Sequence, residues 1–211
     1  MPNIKELLEK SSARHTHLCP RQVLGVRMAI AGCVALGLEV PRQDKRLMII
    51  AETDGCFIDG LEVATGSTPG HRTLRIEDYG KVAATFIDVE KDTILRIAPA
   101  PGIRELAYRY CPGEPRHYFA QLNAYKVMPD TDLFTMTPVS LKTPIKQIVS
   151  QPGVRIKCAV CGEEIINKRE VLCDGLPYCQ ACIGRAYYHQ IDLLLPLPQV
   201  VTERFTNTVF S

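Results

Sequence analysis

Apolar positions at helical spacing from Ile4 to Ser12 predict a short amphipathic helix. Pro20 to Leu38 predicts a longer one. Val23, Leu24, Val26, Ile30, Cys33, Val34 and Leu36 leave it little polar surface, so it should be buried on most sides, with Cys33 packed in the core. Pro20 suits the first helical position and Gly37 marks the end. Gly25 and Gly32 are unfavourable inside a helix and point to close approach by a neighbouring backbone. Leu47 to Ala51 reads as a short apolar strand, and Phe57 to Ala64 as a further helix. Lys81 to Asp88 and Thr93 to Ala98 make a hairpin turned at Glu90-Lys91-Asp92. Arg104 to Tyr110 and Arg116 to Met128 read as helices split by Cys111-Pro112-Gly113-Glu114-Pro115, with Cys111 and His117 in structural roles. Thr143 to Gly153 is a linker.

Strands and helices mix without a regular βαβ rhythm, so residues 1–150 are expected to form an α+β domain containing a buried helix and a small sheet. A small four-cysteine module over 151–190 and an apolar tail over 191–211 follow. At 211 residues the chain has room for one good-sized domain and a small one. The net charge of +2 favours neither a nucleic-acid surface nor an anionic membrane. The apolar run from Val23 to Leu38 is interrupted by Arg27 and too short for a membrane span. The charged first ten residues lack the apolar core of a secretion signal, which points to the cytoplasm. Nine cysteines, an odd number, fit metal ligation or thiol chemistry better than a disulfide framework.

Two cysteine-bearing stretches carry the candidate chemistry. The first is Arg14-His15-Thr16-His17-Leu18-Cys19-Pro20. Pro20 pushes Cys19 towards extended backbone. In an extended segment alternate side chains share a face, so His15, His17 and Cys19 would point together, a donor set suited to zinc. Cys19 would also stand at a helix N-terminus, which favours the thiolate. Glu52-Thr53-Asp54-Gly55-Cys56 forms a strand-to-helix turn, a natural place for a site, with Asp54 either functional or the helix N-cap. Thr65-Gly66-Ser67-Thr68-Pro69-Gly70-His71 lacks the spacing and the lysine of a phosphate-binding loop. It reads instead as a tight connection lining a pocket.

The second stretch is Cys158-x2-Cys161-x17-Cys179-x2-Cys182, two knuckles whose thiolates can meet tetrahedrally around one structural zinc. Asp174-Gly175 turns a hairpin between them, and Cys179 and Cys182 begin a helix through Tyr188. Cys173 is a competing fifth thiol, although paired knuckles give the better geometry. Residues 151–190 carry five basic and four acidic side chains. Four thiolates and one Zn²⁺ subtract two more charges and leave −1, a poor match to a phosphate backbone. The tail contains Leu193-Leu194-Leu195-Pro196-Leu197-Pro198, apolar enough to need a neighbouring surface.

The pattern H-x-H-x-C-P, then Gly25-Val26-Arg27-Met28-Ala29, Cys56, Thr65-Gly66-x2-Pro69-Gly70 and Asp78-Tyr79-Gly80-Lys81 resembles the FmdE family, which takes its name from formylmethanofuran dehydrogenase. The resemblance extends to about Tyr188. It implies an α+β domain with a metal-binding cleft and a carboxy-terminal four-cysteine zinc finger, in prokaryotes and especially anaerobes and archaea. His17 and Cys19 match the family's most characteristic positions, and Cys56 matches the second cysteine of the cleft. Arg21 departs from the glycine typical after the Cys-Pro pair, placing a cation where it would repel a second metal or hold an anionic ligand.

The expected protein is therefore a zinc-binding member of one-carbon or anaerobic redox metabolism. Cys158, Cys161, Cys179 and Cys182 would hold structural zinc. His15, His17, Cys19 and Cys56 would supply a second metal site, with zinc the first candidate ion. One rival makes Cys19 and Cys56 a thiol–disulfide pair. Another is a non-catalytic adaptor docking on an oxidoreductase. A homodimer is expected.

Overall fold

The structure, a computed structural model, describes residues 3–149 and 151–189. They belong to two compact units divided between residues 150 and 151. The predicted apolar tail, 191–211, lies outside the described residues.

In the first unit, α1 (Ile4–Ser12) and α2 (Pro20–Leu36) precede β1 (Leu47–Ala51), α3 (Cys56–Thr65), β2 (Leu74–Ile76), β3 (Ala84–Asp88) and β4 (Thr93–Pro99). Then come α4 (Ile103–Tyr110), α5 (His117–Val127), the one-turn α6 (Asp130–Leu133), β5 (Phe134–Pro138) and the one-turn α7 (Ile145–Ile148). The strands form one mixed sheet in the order β2-β1-β3-β4-β5, in which β1 and β2 are parallel and the other pairs antiparallel. The class is α+β, as expected. β2 and β5 were not predicted. β2 has only three residues, and β5 exposes its last four, so neither shows a readable alternation.

Alternate residues of β1 and β3 face opposite sides of the sheet. Leu47, Ile49, Ala51 and Phe86 join the main core under the helices, whereas Met48 and Ile87 pack with Ile148 on the other side. The expected linker therefore begins with a packed segment, because α7 closes that second cluster. α2 is the hub: it packs on β3 and β4 and also touches α1, α3 and α5. Arg27 ties it to the end of α5, donating to the Tyr125 and Met128 carbonyls at 2.9 and 2.7 Å and to Asp130 at 2.6 Å.

Glycines let α2 and α3 cross almost backbone to backbone. A Cβ on Gly25 would stand 2.4 Å from the Phe57 carbonyl oxygen, and one on Gly60 2.5 Å from the Gln22 carbonyl oxygen. Gly25 thus does what its placement in a helix suggested. Gly32 makes room for the Phe86 ring instead of a backbone.

The second unit holds two hairpins, β6 (Arg155–Lys157) with β7 (Glu164–Ile166), and β8 (Val171–Cys173) with β9 (Leu176–Tyr178). The Asp174-Gly175 turn joins the second pair, both residues at positive φ. The helix expected from Cys179 through Tyr188 is only a helical turn over Ala181–Arg185, stopped by Gly184 at φ 79°.

Candidate metal centres

Cys19 is the N-cap of α2, and its backbone is extended (φ −119°, ψ 159°) as Pro20 requires. Gln22 N–H donates to Cys19 Sγ at 3.4 Å, and Cys19 N–H donates to Gln22 Oε1 at 2.9 Å. The buried Gln22 side chain also donates from Nε2 to the Ser11 carbonyl at 2.8 Å, tying the end of α1 to the start of α2.

Residues 14–17 bend instead of extending, because Arg14 and His15 N–H donate back to the Ser11 and Ser12 carbonyls at 3.2 and 3.0 Å. The two-residue alternation expected to align His15, His17 and Cys19 therefore fails. His15 turns to α3, where its Nε2 lies 2.6 Å from Asp59 Oδ2, and Arg14 bridges Asp59 and Glu62 beside it. His17 goes the other way, into a cleft of about 710 Å³ that Cys19 and Cys56 also line. Its Nδ1 lies 3.0 Å from Thr16 Oγ1, which leaves Nε2 for a ligand.

Cys56 is the first residue of α3. The N-cap is Gly55, at φ 74°, so Asp54 is not the cap, and it does not line the cleft. Glu52, the other acid of that turn, is structural. Its carboxylate takes two bonds from Arg96, at 2.5 and 2.7 Å, and its carbonyl accepts from Tyr79 and Lys81 N–H at 2.9 and 3.1 Å. This anchors the Asp78-Tyr79-Gly80-Lys81 turn next to Val82, a cleft residue. The glycine-rich loop after α3 does not reach the cleft. It closes on itself through Thr68 and Thr73, and Gly66 fits against the Arg42 carbonyl.

Burial pushes the Cys19 thiol above its ordinary value. The Gln22 N–H pulls it down, and the neighbouring Cys56 thiol pushes it up again. The helix-terminal thiolate expected from sequence is thus outweighed by desolvation. Tyr118, from α5, was not foreseen. Its hydroxyl donates to the Leu18 carbonyl at 3.2 Å, and burial and then the two thiols raise its phenol. Arg104 on α4 and Gln121 on α5 complete the wall; neither lies in a motif that announces it.

In the second unit the sulfurs of Cys158, Cys161, Cys179 and Cys182 all lie within 4.8 Å of one another. Cys161 and Cys179 sulfurs are 3.9 Å apart. Four sulfurs about 2.3 Å from one tetrahedral ion would be separated by about 3.8 Å, so the cluster fits such an ion. The knuckles are shaped by their backbones. Gly162, at φ 75°, returns its N–H to the Cys158 carbonyl at 3.0 Å, and Cys179 N–H donates to Cys158 Sγ at 3.3 Å. Backbone N–H donors pull the Cys158 thiol down to about 6, while its thiol neighbours push Cys182 up to about 12. Four thiolates at this spacing need a cation between them. Cys173 is exposed and outside the group. Among the described residues no other set of three or more His, Cys, Asp or Glu side chains is drawn so tightly together. His17, Cys19 and Cys56 share their cleft more loosely.

Residues 14–135 match the family described as "FmdE, Molybdenum formylmethanofuran dehydrogenase operon". The chain belongs to the FmdE family. The same fold is seen in the crystal structure of an FmdE-like protein, named for tungsten formylmethanofuran dehydrogenase, from Syntrophus aciditrophicus. The two align with a TM-score of 0.52 at 20% identity, over 88% of this chain and 95% of that one. A curated relative from Archaeoglobus fulgidus, described as a "Probable S-adenosyl-L-methionine-binding protein", is 36% identical over 87 residues. Those residues are 40% of this chain and 24% of the relative, so the match spans about a quarter of that protein's length. Among the described residues no helix is long and apolar enough to cross a membrane.

Proposed function

We propose that this FmdE protein is a two-metal protein of one-carbon or anaerobic redox metabolism, working in the cytoplasm. The four-cysteine cluster holds zinc as a structural ion, since four thiolates at tetrahedral spacing are a closed zinc donor set. The cleft holds a second ion, with zinc the first candidate, on His17, Cys19 and Cys56. The observation that carries this reading is their convergence. An imidazole and two thiols from two helix starts and the loop before them line one cavity, and Tyr118 lines it close enough for both thiols to act on its phenol. His15 is assigned to Asp59 and not to the metal. Three protein donors would leave a fourth position open for a ligand. A bound ion would supply Lewis acidity there. Around it the protein's own groups orient the donors: Gln22 holds Cys19, and Thr16 holds His17.

The proximity of the Cys19 and Cys56 thiols supports a second reading, a thiol–disulfide pair. Metal analysis of Cys19→Ala and Cys56→Ala, alongside mapping of disulfides after mild oxidation, separates the two. The metal reading predicts that each variant loses the cleft ion. A Cys19–Cys56 disulfide with unchanged metal content supports the redox pair.

A further inference from the structure

The cleft wall carries more positive than negative charge. In the first unit Arg27 is paired with Asp130, Arg42 with Asp44, Arg46 with Asp88 and Arg96 with Glu52. Arg21 and Arg104 differ. Both line the cleft and are exposed, and among the described residues neither guanidinium is in an ion pair with a carboxylate; the charge of Arg104 acts on the Tyr125 phenol. Glu105 is the one acid among the described residues of the cleft wall, against these two cations. Arg21 comes from the start of α2, two positions after Cys19, and Arg104 from the start of α4, so the pair reaches the cavity from two elements. An unpaired guanidinium gains most from a planar or tetrahedral oxyanion, which accepts two parallel N–H bonds.

We propose that the cleft binds a small-molecule oxyanion, a carboxylate or phosphate group gripped by Arg21 and Arg104, with the rest of the ligand against Cys19, Cys56 and Tyr118. This rests on the cleft being the functional site and names the class of ligand it takes. The volume, about 710 Å³, fits a molecule of metabolite size. Val82, Ile103 and Tyr125 supply the apolar wall that would cover such a ligand's carbon skeleton. Arg21 thereby becomes a specificity residue: it adds an anion grip to the cleft that the thiols line.

The test is a ¹H–¹⁵N NMR titration of the full-length protein with millimolar inorganic phosphate and, separately, acetate, at constant ionic strength. The expected result is saturable shifts of the Arg21, Cys56 and Arg104 amides with at least one anion; whichever binds more tightly identifies the head group. Arg21→Gln and Arg104→Gln should each weaken binding about ten-fold, and the lysine variants should restore part of it. Absence of saturable shifts at the cleft with both anions, or affinity unchanged in the double glutamine variant, overturns the proposal. Metal content, measured on the same samples, keeps the two readings apart. The arginine variants should retain every ion. Arginine-dependent anion binding in a protein with no cleft metal would remove the metal reading and leave this one standing.

Discussion

Cys19 shows how several weak local effects decide one residue's chemistry. Pro20 fixes its backbone, Gln22 holds its sulfur, and burial keeps the thiol protonated in the absence of a cation. His17→Ala is expected to remove the cleft ion while the four-cysteine ion stays, as read by elemental analysis; His15→Ala should remove neither. The contrast is direct because the two histidines differ by only two positions and go to different partners. Asp88 gives a separate residue-scale prediction. It is buried, and the Arg46 guanidinium, followed by the Lys91 and Glu90 N–H groups, holds its carboxyl below the usual range. A depressed carboxyl stabilises the fold above the unfolded value of about 3.9 and loses that effect as pH falls through the folded value. Arg46→Gln should therefore lower the urea midpoint at pH 7, with the gap to the parent closing in acid; a pH-independent gap would contradict the assignment. His17, Cys19 and Cys56 were legible because each sits in a short motif at an element boundary. Tyr118 and Arg104 were not, since they enter the cleft from helices distant in sequence and nothing local marks them.

At the scale of elements, the α2–α3 crossing sets the distance between the two thiols. Gly25 and Gly60 allow a contact that no larger residue permits. Gly25→Ala is expected to cost about 2 kcal/mol, the range of overpacking, and to push the start of α3 away from α2. The readout is a lowered urea midpoint together with slower Cys19–Cys56 cross-linking by a short bifunctional thiol reagent. A destabilised variant with normal cross-linking would show that α3 keeps its position by other contacts. The hub helix and the β3–β4 hairpin were readable from period and turn chemistry. β5 was not: an edge strand with four exposed residues offers no alternation. The helix expected after Cys179 ended at Gly184 because a positive-φ glycine in that position turns the chain out of the helix.

At the scale of the molecule, the two units are expected to depend on metal in different ways. The first has a continuous apolar core, from Leu7 to Phe134. In the second the described buried apolar residues are few, Cys158 and Ile165 among them, while Val160, Leu172 and Leu176 are exposed. A module so thin in core is expected to fold largely on an ion held by its four cysteines. Cys158→Ser should release that ion and make residues after 151 protease-sensitive while the first unit survives; Cys173→Ser should change neither. The exposed apolar surface also fits association, and a homodimer is the expected mass by light scattering at micromolar concentration; a monomer would reject it. The central claim, two metal centres on one FmdE chain, is tested most directly by elemental analysis of protein purified without added metal. The account predicts two ions per chain, one lost with Cys158→Ser and the other with Cys19→Ala. A single ion, untouched by Cys19→Ala, would contradict it.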